Sequence, residues 1–386
     1  MILNKLIEST VSSVICTLQS AKCVSVLDST FAMHPNKALT TPRENAALVE
    51  LLLHHYALTP PITFFPTDSG SNNLVIGVRS QNSEYVLKTI VAPHNRAAMY
   101  HEQQLLHWLT TQLLPFAVPA PVPTGSGELL VQTGESYYRL TPRLPGEQPA
   151  WRDGAQMQLL GAALGALHPV LAGYPHLAAC ETVPYGALER IHPLLADPYH
   201  LMPQHLQLPS TSQTEETFRW WRSELAALRA FIDGPYRTLP RQLIHGDFLP
   251  SNTLYVADAD RGHIAAILDF EFAGVDARAM DLASALYFCM RIWENPEPLR
   301  NGAAFCRGYA QRGALTSAEI TAIPWLMRLR NAASALWWFG RQLATGATVD
   351  YATRIAGLQQ LVRWLAGAEG RRLQVILQEE FRHSVV

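Results

Sequence analysis

Residues 43–58, RENAALVELLLHHYAL, repeat apolar positions at three- and four-residue spacing, which predicts a helix. Three strand-like runs follow, Ile62 to Phe65, Asn73 to Arg79 and Glu84 to Val91. Turn residues separate them, Asp68-Ser69-Gly70-Ser71 and then Gln81-Asn82-Ser83. Helical spacing returns from His94 to Leu114 and gives way to a proline-rich connector, PFAVPAPVPTGSG. Two more strand-like runs, Glu128 to Gln132 and Ser136 to Thr141, flank Thr133-Gly134-Glu135. The stretch 142–149, PRLPGEQP, has hinge composition. Beyond it the pattern predicts helices over 154–168, 214–233, 277–290, 298–312, 317–345 and 349–366. One island interrupts them at 241–272, with apolar runs Asn252 to Val256 and His263 to Asp269 around the turn Asp258 to Gly262. The predicted organisation is an extension (1–40), a small mixed lobe (41–143) and a larger, mainly helical lobe (144–386).

Composition narrows the class. The 386 residues are 48% hydrophobic and 16% charged, enough apolar material for a sizeable core and too little charge for a disordered chain. Lys+Arg 30 against Asp+Glu 32 leaves no basic excess, so nucleic acid is not expected as the main partner. Five scattered cysteines without a C-x-x-C pair read as reduced thiols in a cytoplasmic protein. No apolar run reaches the roughly 18 residues of a membrane span, and the N-terminus makes a poor secretory leader. A soluble enzyme or binding module remains.

The chemistry concentrates in LIHGDFLPSNTLYVADADRGHIAAILDFEFAG. It holds His245-Gly246-Asp247, then Asn252, then Asp269-Phe270-Glu271 after a second apolar run. Phosphoryl transfer needs these residue types: a carboxylate to accept the proton of the attacking hydroxyl, with an amide oxygen and a second carboxylate to hold a metal on the phosphates. D-x-x-x-x-N alone is common by chance; H-G-D-x-x-x-x-N followed by an apolar run ending in D-F-E is not.

This segment resembles the catalytic loop and metal-binding strand of the aminoglycoside phosphotransferase family, small-molecule kinases of two-lobed, protein-kinase-like α+β fold. The fold implied is a small antiparallel β-sheet lobe with a helix, and a larger mainly helical lobe. The resemblance implies ATP and Mg²⁺ as cofactors, Asp247 as catalytic base, and Asn252 and Asp269 as metal ligands. His245 would brace the loop, and Asp281 would pin it from the next helix. In the nucleotide-binding lobe, Lys88 matches the strand lysine and Glu102 its helix partner, while Ser71 and Asn72 occupy the phosphate-covering turn, here with a single glycine. ATP is expected between the lobes, with adenine on backbone amides of Arg143 or Leu144, since Pro142 offers none.

For the acceptor, Leu140 to Gln148, Ile267 to Gly274 and Leu329 to Arg341 resemble homoserine-kinase-like members, where the acceptor is a small amino alcohol. Arg330 or Arg341 would then clamp a carboxylate, with an exposed helix arginine as the competing reading. Aminoglycoside, choline-type and sugar acceptors stay open, as does a nucleotide-binding pseudokinase scaffold. Glu271 is read equally as a ligand or as a structural hydrogen-bonding group. The pairs Trp220-Trp221 and Trp337-Trp338 are expected in the core, although an aromatic cage for a cation is the alternative.

Overall fold

The computed structural model describes residues 42–67, 74–91, 96–259 and 262–382. They divide into two compact units, one containing residues up to 92 together with 122–141, the other containing 93–121 and 142–386.

The first unit is a helix on a sheet. Helix α1 (Pro42–Tyr56) precedes strands β1 (Ile62–Pro66), β2 (Leu74–Ser80) and β3 (Ser83–Val91), and β4 (Val131–Thr133) and β5 (Ser136–Pro142) complete the set. The sheet order is β1-β2-β3-β5-β4, with β1–β2, β2–β3 and β4–β5 antiparallel. Leu48, Leu52 and Tyr56 of α1 share a core with Ile76, Val78, Leu87, Val131 and Leu140. The period-3.6 face of the helix and the period-2 faces of the strands meet there.

The second unit begins with α2 (Arg96–Leu109), which ends five residues before the predicted stop at Leu114. Thr110 and Thr111 turn their hydroxyls onto the carbonyls three residues back, competing with helix continuation. Leu105, Leu106 and Leu109 enter the large core of this unit, so α2 groups with it and not with the sheet.

The main helices are α3 (Gly154–Ala172), α4 (Ser212–Asp233), α5 (Ala279–Met290), α6 (Pro298–Tyr309), α7 (Ser317–Ala344), α8 (Tyr351–Ala366) and α9 (Ala368–Glu380). The periodicity reading missed α9, which buries only Gly370, Leu373 and Leu377 and so carries a weak apolar stripe. Two ribbons complete the unit: β6 (Arg241–Ile244) with β9 (Gly274–Ala277), and β7 (Thr253–Val256) with β8 (His263–Ile267). The β6–β9 pair was also missed, because four-residue strands show too little alternation.

Helices α3 and α6 cross at backbone contact. A Cβ on Gly161 would lie 2.0 Å from the Phe305 carbonyl oxygen, and one on Gly308 would lie 1.9 Å from that of Gln158. Only glycine allows so close a crossing. No helix among the described residues is long and apolar enough to span a membrane.

Candidate active site

The loop after β6 is held from two sides. The buried carboxylate of Asp281, near the start of α5, accepts the backbone N–H of His245 at 2.7 Å and of Gly246 at 2.8 Å. On the other side, the Tyr185 hydroxyl donates to the Gly246 carbonyl at 2.6 Å. Gly246 itself has φ +82, and a Cβ there would stand 2.1 Å from the Phe272 carbonyl oxygen, so this position requires glycine.

Behind Asp281 runs a buried polar chain. His168 on α3 reaches Asp281 Oδ2 through Nε2 at 3.3 Å and the Tyr309 hydroxyl through Nδ1 at 2.8 Å. The α3–α6 glycine crossing is what lets His168 and Tyr309 meet. Asp276 on β9 accepts the Tyr185 N–H at 2.8 Å and the Tyr236 hydroxyl, steadying the segment that carries Tyr185.

His245 is buried with both ring nitrogens engaged. Its Nδ1 accepts the Asp247 N–H at 3.2 Å, and its Nε2 stands 2.8 Å from the Leu268 carbonyl, to which it donates. An accepting Nδ1 and a donating Nε2 make a neutral imidazole that ties the Asp247 loop to the segment before Asp269.

Asn252 approaches Asp247 through its amide nitrogen, donating to the Asp247 carbonyl at 2.9 Å and to Oδ2 at 3.0 Å. The β7–β8 register pairs Thr253 with Ile267, and the Leu268 N–H donates to the Asn252 carbonyl at 2.8 Å. Asn252 and Leu268, sixteen apart in the chain, therefore sit side by side. Asp269 follows at φ 60 and ψ 65, a left-handed conformation costly for a side-chain-bearing residue.

Asp247 lies in a mixed field. Burial pushes its carboxyl above the ordinary range; Arg330 pulls it down, and the neighbouring charge of Asp269 pushes it up. Arg330, on α7, donates from Nη2 to Asp247 Oδ1 at 3.1 Å. Asp247 Oδ1 thus faces Arg330, and Oδ2 faces Asn252.

Metal-binding chemistry fits this donor set in part. With its amide nitrogen committed to Asp247, Asn252 keeps its side-chain amide oxygen Oδ1 as a hard donor, and the β7–β8 hairpin that starts beside it leads on to the Asp269 carboxylate. No cluster of three or more His, Cys, Asp or Glu side chains suited to a metal occurs among the described residues. Two protein oxygens suit a cation that completes its shell with phosphates and water.

Of the other residues singled out from sequence, Lys88 is buried on β3, and Glu102 is buried on α2 of the second unit. Arg143 is exposed and Leu144 half-buried just beyond β5. Ser71, Asn72 and the extension 1–40 lie outside the described residues.

Trp221 is a core residue, as expected, but Trp220, Trp337 and Trp338 are only half-buried. Trp337 and Trp338 pack edge to face at 5.0 Å, with the Arg341 guanidinium over both rings and that of Arg354 over Trp338 at 4.7 Å. Here cation–π partners replace the core neighbours the aromatic pattern predicted. His168, Tyr185, Tyr309 and Arg354 were not singled out from sequence. No local motif marks them, since each acts through a contact distant in the chain.

A model of the phosphotransferase enzyme family matches residues 64–316. The chain is similar to a homoserine kinase of Caulobacter vibrioides, 26% identical over 282 residues, covering 72% of this chain and 82% of that protein. It is 30% identical over 246 residues to a homoserine kinase of Methylocella silvestris, covering 58% and 73%. A solved microcompartment-associated aminopropanol kinase superposes with a TM-score of 0.61 at 20% identity, covering 85% of this chain and 99% of that one. The matched residues run from β1 through the Asp247 loop and α5 into the α6–α7 connection, in a protein-kinase-like fold. The chain therefore belongs to the phosphotransferase enzyme family, whose members act on a hydroxyl group of a small molecule.

Proposed function

We propose that this phosphotransferase transfers the γ-phosphate of ATP to the hydroxyl of a small amino alcohol of homoserine type. The observation that carries the reading is the convergence on one loop of Asp247, Asn252 and the neighbouring charge of Asp269. Asp247 is the general base. The acceptor oxygen forms a bond to the γ-phosphorus as the bond to the bridging oxygen of ADP breaks, and the hydroxyl proton passes to the Asp247 carboxylate. Asn252 and Asp269 would hold Mg²⁺, which when bound neutralises charge on the phosphates. Lys88 takes the phosphate-binding role and Glu102 that of the helix glutamate the resemblance implies, with Ser71 and Asn72 on the phosphate turn and the amides of Arg143 or Leu144 on adenine.

His245 and Asp281 orient and do not react. Their hydrogen bonds fix the loop before the acceptor arrives, so the chain contributes mainly positioning and a preset electrostatic field. A cytoplasmic setting suits the free thiols of Cys180, Cys289 and Cys306.

The homoserine-type acceptor is favoured over an aminoglycoside by charge. Arg330, on α7, pairs with Asp247, and Arg341 on α7 and Arg354 on α8 add further positive charge to these helices, a setting that opposes a polycation. Magnesium-dependent ADP release measured with L-homoserine, 3-aminopropanol, choline, sugars and kanamycin tests the reading. Stimulation by L-homoserine above the others is expected. No stimulation by any acceptor, with ATP binding insensitive to Asp269→Ala, would mark a scaffold instead.

A further inference from the structure

Asp247 carries the chemistry proposed above, and its placement depends on the backbone around it. Asp281 accepts the Gly246 N–H, His245 Nδ1 accepts the Asp247 N–H, and the Asn252 amide donates to the Asp247 carbonyl. Those three partners belong to the loop itself or to α5. The Gly246 carbonyl is held from elsewhere. Its partner is the Tyr185 hydroxyl at 2.6 Å, 61 residues earlier in the chain.

That carbonyl belongs to the peptide joining Gly246 to Asp247. A trans peptide is planar, so its C=O and N–H turn together. Tyr185 grips one edge of the plane, and His245 Nδ1 grips the other. Gly246 is buried at φ +82, and a glycine keeps rotational freedom that a side chain would remove. Rotation of the plane would leave a buried carbonyl and a buried N–H unpaired. The tyrosine hydroxyl opposes that rotation. Asp247 then keeps the backbone from which Oδ1 meets Arg330 and Oδ2 meets Asn252.

Tyr185 is itself anchored. Its N–H donates to Asp276 at 2.8 Å, and the Gly186 N–H donates to the Tyr236 hydroxyl at 3.1 Å, which donates to Asp276 in turn. A Cβ on Gly186 would lie 2.3 Å from the Tyr236 ring, so the segment sits directly on that ring. Three residues before Tyr185, the Thr182 hydroxyl donates to the Ala273 carbonyl at 2.8 Å. The chain from α3 to α4, which contains only short 3₁₀ turns, therefore touches both the Asp247 loop and the stretch just past Asp269.

We infer that Tyr185 is a positioning residue for phosphoryl transfer: its hydroxyl locks the Gly246–Asp247 peptide and so holds the base towards the acceptor. The inference rests on Asp247 as the base and adds a residue that lies outside the H-G-D-x-x-x-x-N motif.

Tyr185→Phe keeps the ring and removes the donor. Its kcat should fall by ~10- to 100-fold, the scale of a misplaced reacting group, while KM for ATP and the affinity for magnesium AMP-PNP stay at wild-type values. Thr182→Val removes the other hydroxyl contact of the same segment at nearly the same volume. It should lower the urea midpoint as Tyr185→Phe does and still keep wild-type kcat, which assigns the lost turnover to the Tyr185 hydroxyl. Hydrogen exchange at the Asp247 amide, followed by NMR with no acceptor present, reports the lock without any reaction. Exchange should be slow in wild type and in Thr182→Val, and faster by ~10-fold in Tyr185→Phe, the worth of one buried hydrogen bond.

The inference is overturned if the Asp247 amide exchanges freely in wild type, a measurement that needs no variant to fold. It is also overturned if Tyr185→Phe keeps wild-type kcat, if that variant loses nucleotide affinity in proportion, or if Thr182→Val loses as much turnover. Asp247 exchange that depends on Tyr185, in a chain that phosphorylates no alcohol, supports the lock and overturns the proposed reaction alone.

Discussion

Arg330 Nη2 and Asp247 Oδ1 are joined at 3.1 Å across 83 residues of chain. The long helix α7 thereby places a cation directly on the carboxylate assigned as base. Asp247 is pushed towards protonation by burial and by Asp269, and Arg330 is the largest influence in the opposite sense. The ion pair opposes protonation of Asp247 while holding one of its oxygens in place.

Removal of Arg330 has a definite sign. A base works only when deprotonated, and the Arg330 charge lowers the Asp247 pKa; Arg330→Gln therefore raises it. The acid limb of the kcat/KM profile should move to higher pH, measured from about pH 5 to 9. An unmoved acid limb would show that Arg330 does not tune the base.

Asp247 and Asp269 should fail differently. Asp247→Asn is expected to lower kcat by about 10²- to 10⁴-fold, the range for a lost general base, with ATP affinity nearly intact. Asp269→Ala should weaken nucleotide binding in magnesium and leave the residual magnesium-free binding unaltered. Equilibrium binding with and without EDTA distinguishes the two. Identical behaviour of both variants would remove the separate roles.

Asp281 is a buried acceptor for two backbone N–H groups. Asp281→Ala orphans both, along with the His168 ring nitrogen, and should cost about 3 kcal/mol in urea unfolding. Activity per folded molecule should also fall, since the His245–Gly246 loop loses its clamp. A loss of stability without a loss of turnover would limit Asp281 to the fold.

Gly308 links packing to the site. An added methyl would meet the Gln158 carbonyl at 1.9 Å, so Gly308→Ala must separate α3 from α6. The cost should be about 1–3 kcal/mol, as for overpacking in a close core. Because His168 and Tyr309 meet across this crossing, turnover should fall as well. Unchanged turnover in the folded variant would disconnect the crossing from the catalytic loop.

Much of the site is legible in sequence because its parts are local. His245, Asp247 and Asn252 lie within one loop, and a single hairpin returns Asp269 beside Asn252, so residue spacing and strand register are enough to anticipate their meeting. The strands of the first unit and most helices follow from periods of two and 3.6. What periodicity cannot encode is which residue of one helix faces which residue of another. The α3–α6 crossing depends on the absence of side chains at Gly161 and Gly308. The Arg330–Asp247 pair depends on where α7 lies along the core, and the β6–β9 ribbon on chain ends brought together from thirty residues apart. Local chemistry was therefore written in the order of amino acids. The guanidiniums that surround it, the polar chain behind Asp281 and the exposure of Trp337 and Trp338 were decided by packing, because a contact between distant segments is set by the depth and angle at which whole helices meet.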